Sequence, residues 1–176
     1  MSPERIIFIR HAEEHDTPGV TLDGEADAQS LTERGWQRAG ALVGFFCPEA
    51  ASPLTPDAIF ASAIAPGSES KRPQQTVAPL LSFMQARGAI AYTDTHAKPD
   101  TDALMADVMT RGGTVLIAWE HSQIANCVAA LPNPPHVPEA WPSERYDLAW
   151  VLDRTDAGWT FTQVLQCLPP GDNSGT

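Results

Sequence analysis

Four apolar residues in a row, Ile6 to Ile9, lie between Arg5 and Arg10, and "RIIFI" reads as a short β-branched strand buried on both faces. Beyond a polar loop the spacing changes. Leu31, Trp36, Ala39, Leu42, Val43 and Phe46 fall on one face of a helix over 31–46, with Thr32 as its cap. A second strand is expected in "PDAIFAS". A helix follows in "RPQQTVAPLLSFMQARG", with Pro73 in its first turn, a kink at Pro79 and a stop at Gly88. "AIAYTD" reads as a third strand, and "DTDALMADVMTRGG" as a helix with an Asp start and a Gly stop. "TVLIAW" is the clearest strand, and the helix "EHSQIANCVAAL" follows it, capped by Ser122. The proline-rich 131–144 reads as an ordered surface loop. "YDLAWVLDR" and "GWTFTQVLQCL" alternate as a hairpin joined by "TDAG".

Strands alternating with helices predict an α/β fold: one domain over 1–168, a three-layer sandwich with a mostly parallel central sheet and helices on both faces. Residues 169–176, "PPGDNSGT", are expected to form a flexible tail.

Composition narrows the possible functions. A chain of 176 residues with 43% hydrophobic content suffices for one substantial core. A net charge of −11 argues against nucleic-acid binding and makes any local cluster of Arg and His informative. No apolar run reaches the roughly 18 residues of a membrane span, and the N-terminus has no secretory pattern, so a cytoplasmic protein off the membrane is expected. Cys47, Cys127 and Cys167 match no metal spacing and read as inert thiols.

Open α/β sheets bind ligands beyond the carboxyl ends of their strands. Arg10 and His11 directly follow the first strand, and Glu120 and His121 directly follow "TVLIAW". Both histidines are therefore expected at one rim. A neutral imidazole can attack phosphorus, and the oxygens of the transferring group then need fixed positive charge, which arginine supplies as a planar fork.

The order "RHAE" after a strand, "LTERGWQRA", "RPQQT" at a helix start and a strand-borne "EH" resembles the histidine phosphatase superfamily over residues 5 to about 130. The resemblance implies a phosphoglycerate mutase-like fold. It further implies His11 as the phosphoryl-accepting nucleophile, Arg10 and Arg72 as phosphate ligands, His121 as a second catalytic histidine, and no metal or other cofactor. Lys71 is read as a solvated neighbour of Arg72. Ala12 stands where the family more often has Gly, and the loop before Arg72 is several residues longer than usual. The family's acid, which protonates the leaving oxygen, commonly follows the third strand. Asp94, Asp100 and Asp102 are the candidates there, Asp102 and Asp94 preferred, with Glu14 and Glu120 outside that segment. Glu120 is expected on the opposite face of the strand end from His121.

The loops at 14–30, 62–71 and 131–145 are the only candidates for a lid. An open site favours transfer to water, hence a phosphatase over a mutase, acting on a small phosphorylated substrate or a phosphohistidine protein. The acids of 13–28 tilt against highly anionic substrates. Two rivals stand beside this reading. One is a metal-dependent phosphoesterase using His11, His15 and Asp16, although Thr17-Pro18-Gly19 cuts short the helix such ligands need. The other is a non-catalytic phosphate-ligand-binding domain of the same fold.

Overall fold

The computed structural model describes residues 2–14, 17–168 and 172. The elements run β1 (Arg5–Arg10), α1 (Glu33–Phe46), β2 (Ala58–Ala61), α2 (Arg72–Gln85), β3 (Ala91–Thr93), α3 (Thr101–Val108), β4 (Thr114–Trp119), α4 (His121–Ala129), β5 (Leu148–Thr155) and β6 (Gly158–Leu165). They form one six-stranded sheet in the order β3-β2-β4-β1-β5-β6. The pairs β3–β2, β2–β4 and β4–β1 are parallel, whereas β5 is antiparallel to β1 and β6 to β5.

The apolar run of β1 forms the centre because alternate side chains serve opposite faces. Ile6 and Phe8 pack in one core cluster with Leu104 and Val108 of α3 and Ile124 and Val128 of α4. Ile7 and Ile9 pack in the other with Leu42 and Phe46 of α1 and Val77 and Leu80 of α2. Each of these fully buried aliphatic or aromatic side chains contributes about 1.5–3 kcal/mol. The three-layer α/β sandwich expected from the alternation of elements is therefore present. Among the described residues no helix is long and apolar enough to cross a membrane.

Helix caps differ from expectation in two places. The Thr32 hydroxyl accepts from the Gly35 N–H at 3.2 Å, as the sequence predicts. The cap of α4, however, is Glu120 and not Ser122, whose hydroxyl donates to the Glu120 carboxylate instead of serving the backbone. Asp100 occupies the cap position of α3, but its carboxylate accepts from the Ala97 N–H of the preceding turn. α2 runs through Pro79 as one uninterrupted helix. The tail expected at 169–176 lies outside the described residues except for Asp172, which pairs with Arg38.

Gly35, early in α1, sits against the segment that follows β1. A Cβ at position 35 would lie 2.7 Å from the Glu13 carbonyl oxygen and 3.1 Å from its nitrogen. Alanine normally favours a helix interior over glycine by about 1 kcal/mol. Here the contact reverses the sign: Gly35→Ala should lower stability by about 1–3 kcal/mol, read as a reduced urea midpoint with unchanged slope.

Candidate active site

β1 and β4 are neighbours with Arg10 opposite Trp119, so their carboxyl ends open on the same rim. His11 leaves the strand still bound to the sheet, its N–H donating to the Trp119 carbonyl at 3.0 Å. The next residues are tied to both helices of one layer. The Ala12 N–H donates to the Thr76 hydroxyl of α2 at 2.8 Å, and that hydroxyl donates to the Arg72 carbonyl one turn back. The Glu13 carbonyl accepts from the N–H and hydroxyl of Thr32, at 3.0 and 3.1 Å. Three elements thus fix the backbone around His11.

The His11 ring is almost fully buried, with 3% of its side chain exposed. Its Nδ1 lies 2.9 Å from the Ala12 carbonyl oxygen, which can only accept, so Nδ1 carries the proton and Nε2 carries the lone pair. Burial, the largest influence, lowers the imidazole from 6.5 to about 4 against the opposing pull of Glu14 and the Ala12 carbonyl. At neutral pH the ring is uncharged and Nε2 is a competent nucleophile.

Two guanidinium groups converge beside it. Arg10 is 1% exposed and lies over the Tyr146 ring, 3.9 Å from ring centroid to Cζ. Its Nη1 donates to the Ser143 carbonyl and its Nη2 to Glu14 Oε1 at 2.8 Å. Arg72, at the start of α2, donates to the carbonyls of Ser30 and Ala28 at 3.2 and 2.5 Å. Its Nη1 lies 2.8 Å from Glu14 Oε2. The lengthened loop before Arg72 therefore still delivers it to His11. Lys71 pairs with Asp27 at 2.6 Å and is nearly half exposed.

A pocket open to solvent lies over His11. Arg72 and Lys98 bring positive charge to its wall, Glu14, Glu69 and Glu120 negative charge, and Ser62, Ser68 and Ser70 hydroxyls.

The structure brings together three of the expected groups around Glu14 and leaves others, His121 among them, outside the pocket lining. His11, Arg10 and Arg72 converge. His121 is the first residue of α4 on the same rim, its Nδ1 3.0 Å from Glu120 Oε1. Asp94 and Asp102 do not line the pocket: Asp94 is bonded to the Tyr92 hydroxyl behind it, and Asp102 is exposed on the first turn of α3. Glu120 does line it, contrary to the face expected for it. The pleat ends at Trp119, and the chain turns there into the helix cap. Of the metal ligands considered, His15 and Asp16 lie outside the described residues. Among the described ones no group of three or more His, Cys, Asp or Glu residues could hold a metal ion.

Sequence reasoning missed the group that holds this site in place. The Glu13 carboxylate accepts from Arg38 Nη2 at 2.8 Å and from Arg34 Nε at 3.2 Å, and Arg38 also binds Asp172 at 2.6 Å and Gln166 at 3.0 Å. The signal was available in the glutamate two residues beyond His11 and the arginine on the buried face of α1. Thr76 was likewise visible in "RPQQT" but carried no assigned role.

This order of strands and helices, with its site beyond β1 and β4, is the phosphoglycerate mutase-like fold. No protein-family profile and no curated protein matches the chain. Solved structures do. The candidate phosphohistidine phosphatase SixA of Agrobacterium tumefaciens is 19% identical with a TM-score of 0.53, over 92% of this chain and 97% of that one. The alpha-ribazole phosphatase of Shigella flexneri is 15% identical with a TM-score of 0.55, over 92% and 96%. A candidate alpha-ribazole-5'-P phosphatase of Escherichia coli is 12% identical with a TM-score of 0.53, over the same shares. At these identities the likeness establishes the fold.

Proposed function

We propose that the protein is a metal-independent histidine phosphatase that hydrolyses a phosphomonoester or a phosphohistidine through a covalent intermediate on His11. The observation that carries this reading is the unprotonated Nε2 of a buried, neutral His11 beside two arginines anchored by the protein's own carbonyls. The phosphatases that share the fold support it.

In the first step the Nε2 lone pair attacks phosphorus, an N–P bond forms, and the bond from phosphorus to the leaving oxygen breaks. Arg10 and Arg72 bind the equatorial oxygens, and anchored donors need no reorganisation as charge shifts onto those oxygens. The leaving oxygen takes a proton from a carboxyl of the pocket. Glu120 is the assigned donor, since it lines the pocket and Asp94 and Asp102 are not among its lining residues. His121, 3.0 Å from Glu120, is assigned with it as the second histidine acting on the phosphoryl group. In the second step the carboxylate left by the first takes a proton from water as the water oxygen attacks phosphorus, the N–P bond breaks, and inorganic phosphate leaves as Nε2 recovers its lone pair. The open pocket admits that water.

The test is to quench the protein during turnover of an aryl phosphate and map the phosphoryl group by mass spectrometry. An acid-labile, base-stable phosphoryl group on the peptide bearing His11 is expected. Turnover without any such adduct would point to direct attack by water and overturn the reading.

A further inference from the structure

The two arginines assigned to phosphate are already neutralised by the chain itself. Glu14 reaches Arg10 Nη2 with Oε1 and Arg72 Nη1 with Oε2, both at 2.8 Å, and Oε1 lies 3.8 Å from His11 Nε2. We propose that Glu14 is a resident anion of the phosphoryl subsite, and that a substrate phosphate binds only by displacing its carboxylate from both guanidinium groups. The proposal rests on the phosphatase reading above.

Three observations carry it. A carboxylate and a phosphoryl group offer an arginine fork the same pair of oxygen acceptors, so the two compete for the same N–H groups. Second, a phosphorus poised for attack stands about 3–3.5 Å from its nucleophile, with its equatorial oxygens on the cations. Oε1, bonded to Arg10 and 3.8 Å from Nε2, stands where one of those oxygens has to be. This position beside the nucleophile, not across the pocket from it, also separates Glu14 from a general acid, which must face the departing oxygen on the far side of phosphorus. Third, the carboxylate is charged. Burial raises its pKa, but His11 when protonated, Arg72 and Arg10 outweigh burial and hold it below the usual carboxylate range.

The consequence concerns selectivity. The cost of moving Glu14 is subtracted from the binding of every phosphate, so the competent state is a minor one until something else stabilises it. A bare phosphate ion has only the arginines to bind. A substrate whose leaving group also meets Ser62, Ser68 or Lys98 across the pocket gains contacts that offset the displacement. Glu14 thereby favours substrates with a sizeable polar leaving group over the smallest phosphate esters, and it speeds loss of the product phosphate.

The experiment is calorimetric titration of inorganic phosphate into the wild-type protein, Glu14→Gln and Glu14→Ala, with Glu69→Gln as a charge-matched comparison. Glu69 lines the same pocket but its carboxylate accepts from the Gly67 N–H at 2.9 Å and holds neither arginine. Glu14→Gln and Glu14→Ala are expected to bind phosphate at least tenfold more tightly than wild type, and Glu69→Gln within threefold of it. Folding is checked by circular dichroism, and glutamine keeps the shape of the side chain if alanine disturbs the loop. Equal affinity in wild type and both Glu14 variants would overturn the proposal and leave the phosphatase reading standing. So would an equal gain in Glu69→Gln, which would reduce the effect to charge at a distance. Failure of every variant to bind phosphate, with no phosphoryl adduct on His11, would remove the phosphatase reading and this proposal together.

Discussion

His11→Ala is expected to lower turnover of p-nitrophenyl phosphate by at least about 1,000-fold, while EDTA leaves the wild-type rate unchanged. The size of the loss follows from the geometry. Nε2 is the nucleophile, and the fixed arginines, left intact by the substitution, retain only the part of catalysis that binding and electrostatics supply to attack by water. A rate that falls with EDTA and is insensitive to His11→Ala would replace this mechanism by metal-dependent hydrolysis. The same burial sets a pH expectation. Burial disfavours the imidazolium, so the neutral nucleophile persists as pH falls below 6.5, and protonation sets in only near 4. An NMR titration of the His11 ring should show its midpoint well below that of a solvated histidine. A midpoint near 6.5 would mean that the ring is not held in its buried setting.

The second large effect is structural. Arg38→Ala should destabilise the fold by about 3–5 kcal/mol, because it leaves carboxylates without their partner in a buried setting. Arg38 is 2% exposed, Glu13 9% and Asp172 4% at the side chain. One guanidinium holds both carboxylates, and Gln166 takes a further N–H. Arg34 reaches Glu13 at 3.2 Å and Asp172 at 3.6 Å, but it is half exposed and its pairing is weakened by solvent, so the loss falls at the lower end of that range. Urea unfolding of the variant measures this directly. Activity should fall as well, since Glu13 lies two residues beyond His11 and its backbone is held by Thr32. Arg38→Lys keeps the charge but not the fork, and an intermediate stability is expected. A wild-type midpoint in Arg38→Ala would show that Arg34 alone satisfies both acids.

The order of elements was legible because their periods differ. β1 and β4 are unbroken apolar runs, which only strands covered on both faces need, and α1 repeats its apolar residues at helical spacing behind a Thr cap. From that order came the rim, and from the rim His11, Arg10 and His121, since Arg10 ends β1, His11 follows it and His121 comes two residues after β4. Arg72 was named only through the resemblance of "RPQQT" at a helix start to a family motif, and the structure does place it at the start of α2.

The acids were not legible in the same way. Asp94 and Asp102 were favoured by their place after the third strand, yet neither reaches the pocket, whereas Glu14 and Glu120 do. A carboxylate in a loop has no periodicity to fix its direction, and its position depends on how that loop crosses its neighbours. Glu120 enters because the strand gives way to a helix cap at one residue, and Glu14 because two arginines from elements about 60 residues apart in sequence meet there. For this protein the sequence by itself determined the strands, the helices and the rim that carries the nucleophile. Only the tertiary structure decided which charges fill that rim, because Coulomb interactions between distant segments depend on separations that the folded chain alone creates.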